Sequence, residues 1–188
     1  MVSAFKIGLC CHIVRQGGVI AYPTETVMGL GCDPYNNEAV RHLLALKHRP
    51  EEKGLIIIGA NINQLTSFIG KLSIQQQQLL SQPIAHPTTW LAPKSATAPS
   101  WITGKHDTIA IRITTHSIAN KLCQHLGHAL VSTSANITGQ AVVKTSHELI
   151  QSFGQAIHMI TNDSQPSLGT PSEIRNILTG EIVRASTK

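Results

Sequence analysis

Acidic residues are scarce in this chain. Ten Asp and Glu stand against fifteen Lys and Arg, and the formal net charge over 188 residues is +5 with ten histidines counted as neutral. Only 13% of residues are charged, so the imbalance comes from few acids, and no Lys/Arg block or RGG-like tail is present. Such a balance favours anionic partners such as nucleotides or RNA. Aromatics are also few, at two Trp, two Tyr and three Phe. That supply argues against a base-stacking platform, so RNA would be held by phosphate attraction and shape. No apolar run reaches the roughly 18 residues of a membrane helix. The longest strongly apolar stretch, Leu55 to Ile58, reads as a buried strand. The first residues lack an apolar segment leading to a small-residue cleavage site, so no secretory signal is expected and the expected location is cytoplasmic. Cys10, Cys11, Cys32 and Cys123 have neither CxxC spacing nor the density of a disulfide scaffold, and reduced thiols are the expectation.

Several catalytic signatures are missing as well. There is no GxxxxGK(S/T) phosphate loop, no GxGxxG after a strand, no HExxH helix and no GxSxG elbow. Histidines and cysteines show no metal-ligand spacing, apart from the adjacent trio Cys10, Cys11 and His12, which lacks a further pair. No metal site built from protein side chains alone is expected.

What is present is alternation of strands and helices over a length that suits one domain, residues 1–188, with a substantial core. Gly18 to Tyr22 reads as a strand stopped by Pro23. Glu38 to Lys47 carries Ala39, Val40, Leu43, Leu44 and Leu46 at helical spacing, and Pro50 ends it. Gly54 to Ala60 is a β-branched run, hence a buried strand, and Asn61 and Ser73 are placed to cap following helices. Asp107 to Thr114 alternates, with Ile109, Ile111 and Ile113 on one face and Thr108, Ala110, Arg112 and Thr114 on the other. His116 to Leu126 predicts a helix closed by Gly127. His128 to Ser134 predicts a strand with Leu130, Ser132 and Ser134 on one face. Ser146 to Phe153 follows as a helix closed by Gly154, and Ala156 to Thr161 as a strand. Ser172–Leu178 and Glu181–Ala185 flank a Thr179-Gly180 hairpin turn. The pattern specifies an α/β fold around a mixed, twisted sheet.

Three groups of residues could carry chemistry. Lys47, Arg49 and Lys53 surround a helix end and the stiff Pro50. They read either as cations offsetting the helix dipole or as a phosphate clamp, Arg offering a fork and Lys a point charge. Thr24-Glu25-Thr26 is by default a turn with a helix cap, and alternatively a hydroxyl group at the mouth of the sheet. Ser132 to Asn136 is an edge strand running into an Asn turn, or a polar ledge facing a ligand. Arg112 is sharper, because a guanidinium inside an Ile-rich strand needs an anion. That anion is a ligand, or one of Asp163, Glu173 and Glu25.

Taken together, GGVIAYPTET from Gly17 to Thr26, Lys47-His48-Arg49-Pro50, Lys53-Gly54-Leu55-Ile56, Val131 to Asn136, and the ending from Pro171 to Arg184 closely resemble the threonylcarbamoyl-AMP synthases of the TsaC/YrdC type, also called RimN, in their short single-domain bacterial branch. The resemblance runs over nearly the whole chain. It implies a YrdC-like twisted open mixed sheet with helices and a large, positively charged concave cavity. It also implies a nucleotidyltransferase reaction in which L-threonine, bicarbonate or CO2, and ATP with Mg2+ give threonylcarbamoyl-adenylate and pyrophosphate. The product serves N6-threonylcarbamoyladenosine formation beside the anticodon of tRNAs reading codons that start with A, through a downstream threonylcarbamoyl transferase complex. Affinity for tRNA or double-stranded RNA goes with it.

By motif, Lys47, Arg49, Ser134 and Asn136 match the catalytic tetrad near the triphosphate. Arg49, Lys53, Thr108, Ser134 and Arg184 match ATP contacts, and Thr26, Arg112, Ser132 and Ser172 match threonine contacts. The sequence departs from the family at Met28, where Tyr is usual, at Ile58, where some relatives have His, and at His86-Pro87-Thr88-Thr89, where Gly-Pro-x-Thr is usual. Met28 and Ile58 are expected at the cavity wall. The competing expectation is a non-catalytic RNA-binding factor for ribosome or tRNA maturation that uses the same basic cavity.

Overall fold

The computed structural model describes residues 2–82, 86–143, 145–160 and 169–186. Along the chain run α1 (Ala4–Arg15), β1 (Ile20–Pro23), β2 (Met28–Gly31), α2 (Asn37–Leu46), β3 (Ile56–Gly59), α3 (Ile74–Ser81), β4 (Thr88–Pro93), α4 (Ser100–Thr103), β5 (Thr108–Ile113), α5 (Ser117–Leu126), β6 (Leu130–Ser134), α6 (Ser146–Phe153), β7 (Met159–Ile160), β8 (Glu173–Asn176) and β9 (Ile182–Arg184). The strands form one mixed sheet in the order β7-β1-β2-β6-β3-β5-β4-β8-β9. The pairs β7/β1, β3/β5 and β4/β8 are parallel and the others antiparallel.

Period-two alternation decides what each face of this sheet buries. Ala21, Leu30, Val131, Ile57, Ile109 and Ile111 point to one side, where they pack with Leu43 of α2, Leu80 of α3, Ile102 of α4 and Leu149 of α6. On the other side, Ile20, Tyr22, Ile58 and Leu130 meet Ile7 and Val14 of α1 and Ile118 and Leu122 of α5. Each fully buried Val, Leu or Ile among them contributes about 1.5–3 kcal/mol of transfer free energy. The α1–α5 layer covers only part of its face. Further along the same strands, Ile56, Ser132, Ser134, Gly29 and Arg112 line open space instead.

The helix starts and stops follow local chemistry. Asn61 accepts from the Gln64 N–H at the short 3-10 turn Ile62–Leu65, and Ser73 forms a capping box with Gln76 on α3. Gly127 closes α5 at φ 81°. The end of α2 is less usual. Arg49 N–H reaches Leu44 O at 2.9 Å and His48 N–H reaches Ala45 O at 3.0 Å, a Schellman pattern with His48 in the glycine position at φ 48°. An exposed histidine there carries left-handed strain. His48→Gly is expected to stabilise the fold by about 0.5–1 kcal/mol, and His48→Val to destabilise it, in denaturant titrations. Equal midpoints would mean that the turn stores no strain.

Four elements were not expected from the sequence: α1, β2, β4 and α4. Two local expectations are corrected. Thr24 to Val27 is a turn, but it leads into strand β2 rather than a helix, and Thr24 Oγ1 holds it by donating to Val27 O at 2.7 Å. Ser132 to Ser134 lies on β6, an interior strand between β2 and β3, not an edge. The strand expected from Ala156 to Thr161 is β7 preceded by a 3-10 turn, Gly154–Ala156, and Thr161 lies outside the described residues. Cys10 and Cys11 are buried while His12 is exposed, so that trio does not converge. Burial, with the neighbouring Cys11, pushes the Cys10 thiol up to about 11, far from a thiolate ligand at neutral pH.

Candidate active site

Two adjoining cavities open where the α1–α5 layer stops. The first, about 670 Å³ including its open mouth, is lined by buried Arg112, Ser132, Thr26 and Ser172 with Ser134 and Gly29, and by the exposed Pro171 and Arg184. The second, about 700 Å³, is more apolar, with Leu91, Ile102, Ile109, Ile174 and Val183 beside Lys53, His106 and Thr108. Arg49, Leu55, Ile56 and Arg184 line both, so the two guanidinium groups stand at the junction.

The register explains the clustering. Ser132 pairs with Ile56, Ile56 with Ala110, and Ser134 with Gly29, while Arg112 sits opposite Ile58 one pleat further on. Four strands that are distant in sequence thus put small polar groups on one surface. Ser172 is fixed from two sides, with Thr89 Oγ1 2.9 Å from its hydroxyl and Arg184 Nη2 donating to its carbonyl at 2.8 Å.

The cations influence one another. Burial, and then Arg184, lowers the Arg49 pKa; burial, and then Arg112, lowers that of Arg184. Burial and then Arg49 bring Lys47 down to about 8. Lys47, Arg49, Lys53 and Arg184 have no carboxylate partner among the described residues. Half-buried Arg49 and exposed Arg184 repel each other at this hollow, and an anion between them would relieve that repulsion. Arg49 donates to Gly54 O at 2.8 Å through Nη2, and its Nη1 makes no hydrogen bond among the described residues. Arg112 differs, because Glu25 lies 3.6 Å away. Of its other suggested internal partners, Glu173 pairs with Arg175, and Asp163 lies outside the described residues.

The sequence placed most of these residues, but not all as it implied. Thr26, Arg49, Arg112, Ser132, Ser134, Ser172 and Arg184 share the first cavity, and Arg49, Lys53, Thr108 and Arg184 the second. Lys47 and Asn136 line neither. Lys47 is 2% exposed, and its Nζ donates to Ser134 O, to Asn136 O at 2.7 Å and to Asn136 Oδ1 at 3.3 Å, which accounts for all three protons of an ammonium. Asn136 Oδ1 also accepts from Ser134 Oγ at 2.6 Å, and Asn136 Nδ2 donates to Ile137 O and Gln140 O. This pair forms a frame under Ser134. Met28 and Ile58 are likewise not at the cavity wall. Ile58 is fully buried against the α1–α5 layer, and Met28 packs on the opposite core. Of the three anions the sequence offers for Arg112, Glu25 is the one among the described residues that the fold brings to it, while Thr89, which holds Ser172, was not assigned to the site. Both lie in stretches that the resemblance covers, but only the fold shows which partners they meet.

Residues 12–186 match the Sua5/YciO/YrdC family model, described as telomere recombination. The chain belongs to that family. Among similar proteins are the threonylcarbamoyl-AMP synthase of Cellvibrio japonicus (strain Ueda107), 44% identical over 181 residues that make up 96% of each chain, and that of Pseudomonas aeruginosa (strain UCBPP-PA14), 44% identical over 98% of this chain and 99% of the relative. The structure of P. abyssi Sua5 complexed with L-threonine superposes with a TM-score of 0.90 at 29% identity, covering 99% of this chain and 55% of that one. This family member therefore spans little more than half of Sua5 but nearly the full length of the curated synthases. E. coli YciO shares the fold, with a TM-score of 0.80 at 22% identity over 96% of this chain and 89% of that one.

Proposed function

We propose that this family member is a threonylcarbamoyl-AMP synthase, with residues 1–188 acting as one domain: L-threonine, bicarbonate and ATP give threonylcarbamoyl-adenylate, pyrophosphate and water. The observation that carries the reading is the junction of Arg49 and Arg184, cations without carboxylate partners among the described residues, between a polar cavity and a more apolar one. The names of the curated relatives support it, as does the threonine complex of the Sua5 relative.

In this reading the first cavity takes threonine. Arg112 receives its carboxylate, while Thr26, Ser132 and Ser172 offer hydroxyls to its remaining polar atoms. Arg49, Arg184 and Ser134 hold the phosphates at the junction, and Thr108 and Lys53 border the nucleoside in the second cavity. Bicarbonate takes up a proton and loses water to give CO2. The amine of threonine adds to it and releases a proton to solvent, and an oxygen of the resulting carbamate attacks the α-phosphorus as the bond to pyrophosphate breaks. Charge grows on phosphate oxygens, so preorganised donors matter more here than a general base, which makes the reaction a nucleotidyl transfer. The hydroxyl of Ser134, and the lack of carboxylates among the described residues that line the first cavity, suit a Mg2+ that arrives on the triphosphate, held by phosphate oxygens and water with at most a hydroxyl from the chain. Such an ion would add positive charge at the phosphates.

Product hand-over to a transferase complex acting on tRNA, in the cytoplasm, completes the proposal. No helix among the described residues is long and apolar enough to cross a membrane. The non-catalytic RNA-binding alternative is not favoured, since it gives no role to Thr26, Arg112 and Ser172 beside the clamp. The test is pyrophosphate release from ATP, threonine and bicarbonate, expected to depend strictly on threonine. Absent turnover together with tight, salt-sensitive RNA binding would reverse the preference.

A further inference from the structure

A guanidinium as buried as that of Arg112, 6% exposed in the cavity lining, needs a fixed counter-charge. Glu25 provides it from the turn between β1 and β2, and the two oxygens of its carboxylate have different surroundings. Oε1 accepts from Thr114 Oγ1 at 2.7 Å and from the N–H groups of Thr115 at 2.7 Å and His116 at 3.1 Å, where the chain passes from β5 into α5. Oε2 is only 3.6 Å from Arg112 Nη2, and both Oε2 and Arg112 Nε are buried without a hydrogen-bond partner among the described residues. Burial pushes the Glu25 carboxyl up, but the Arg112 charge and the bonds from Thr114 and Thr115 outweigh it and hold it below its ordinary 4.5. The carboxylate is therefore ionised at neutral pH and anchored by one oxygen, while the other attracts Arg112 without engaging its fork.

We propose that Glu25 is a positioning residue for amino-acid binding: anchored at the β5–α5 junction, it holds Arg112 by charge alone and leaves the guanidinium's hydrogen-bonding capacity for the substrate carboxylate. A tight bidentate pair would consume that capacity, and no counter-charge at all would leave a buried cation free to swing away. This inference rests on reading the first cavity as the threonine subsite. The bland alternative is a staple that only ties the turn to α5.

Two variants separate the possibilities. Glu25→Gln keeps an oxygen for the Thr115 and His116 N–H groups but removes the charge. It is expected to raise the threonine KM about ten-fold or more while the ATP KM stays within about two-fold. Thr114→Val loosens the anchor and keeps the charge. It is expected to weaken threonine several-fold but not inhibition by L-threoninol, which lacks the carboxylate that Arg112 would meet. A staple that merely let Thr26 move would weaken both, so this variant separates the roles if Glu25→Gln does not fold. Unchanged threonine KM in the folded variants, or parallel rises in both KM values, overturns the proposal in favour of the staple. A wild-type protein without threonine-dependent turnover would instead refute the function on which the inference rests.

Discussion

Replacing Arg49 with alanine is expected to lower the rate of pyrophosphate release by about two to three orders of magnitude, the usual loss when a donor aimed at developing charge is removed. Arg49 lines both cavities, so it is the side chain best placed to meet a phosphate chain running from one to the other. Its structural bonds are few: Nε and Nη2 reach Gly54 O, and Nη2 reaches Lys53 O at 3.4 Å. Losing them should cost about 1 kcal/mol of stability, so a thermal melt would show a folded variant. Arg49→Lys tests the geometry rather than the charge. An ammonium cannot hold Gly54 O and a phosphate oxygen with one rigid fork, and about a ten-fold loss or more is expected. Steady-state kinetics at saturating threonine read both variants. A folded Arg49→Ala protein with an unchanged rate would take this residue out of the mechanism.

How much of this could be read from the chain depends on how local each signal is. Helices α2, α5 and α6 were legible because apolar spacing and caps lie within one element, and β5 was legible because Ile and non-Ile residues alternate strictly. Strand β2 was not, since Met28-Gly29-Leu30-Gly31 has too little side chain to show a period; its glycines are there for clearance. A Cβ at Gly31 would stand 2.8 Å from the Tyr22 ring and closer still to Val131 O. Helix α1 also escaped notice, for it carries apolar groups on its outer side too, Phe5 at 78% exposure among them, and so lacks the polar stripe that marks an amphipathic helix.

The site divides in the same way. That Arg112 needs an anion followed from its place in an Ile-rich strand, but which anion depended on a turn 87 positions earlier folding against β5. Motif resemblance grouped Lys47 with Arg49 because they are two residues apart. In the fold the intervening left-handed His48 separates them: Arg49 goes to the cavity junction and Lys47 to the frame beneath β6. Resemblance groups residues by motif without saying which of them would touch substrate.

Lys47→Met discriminates between those two ways of mattering. If Lys47 were a phosphate ligand, removing a desolvated cation would leave stability unchanged or raise it, and the loss would fall on ATP binding. As a frame it should behave otherwise. Methionine leaves Ser134 O, Asn136 O and Asn136 Oδ1 without the donor they share, and about 2–4 kcal/mol of stability should be lost in denaturant titrations. Turnover should fall about a hundred-fold as Ser134 leaves its place. The pH dependence reads the burial of Lys47, which both roles share. Burial, followed by the charge of Arg49, lowers Lys47 from 10.5 to about 8, so between those values the unfolded chain carries a proton that the folded chain lacks. Stability contributed by this residue therefore rises with pH across that window. The variant cannot show that rise, and the stability gap between wild type and Lys47→Met should widen from pH 8 towards 10.5. A variant as stable as the wild type, with its loss confined to the ATP KM, would return Lys47 to the ligand role that its motif suggests.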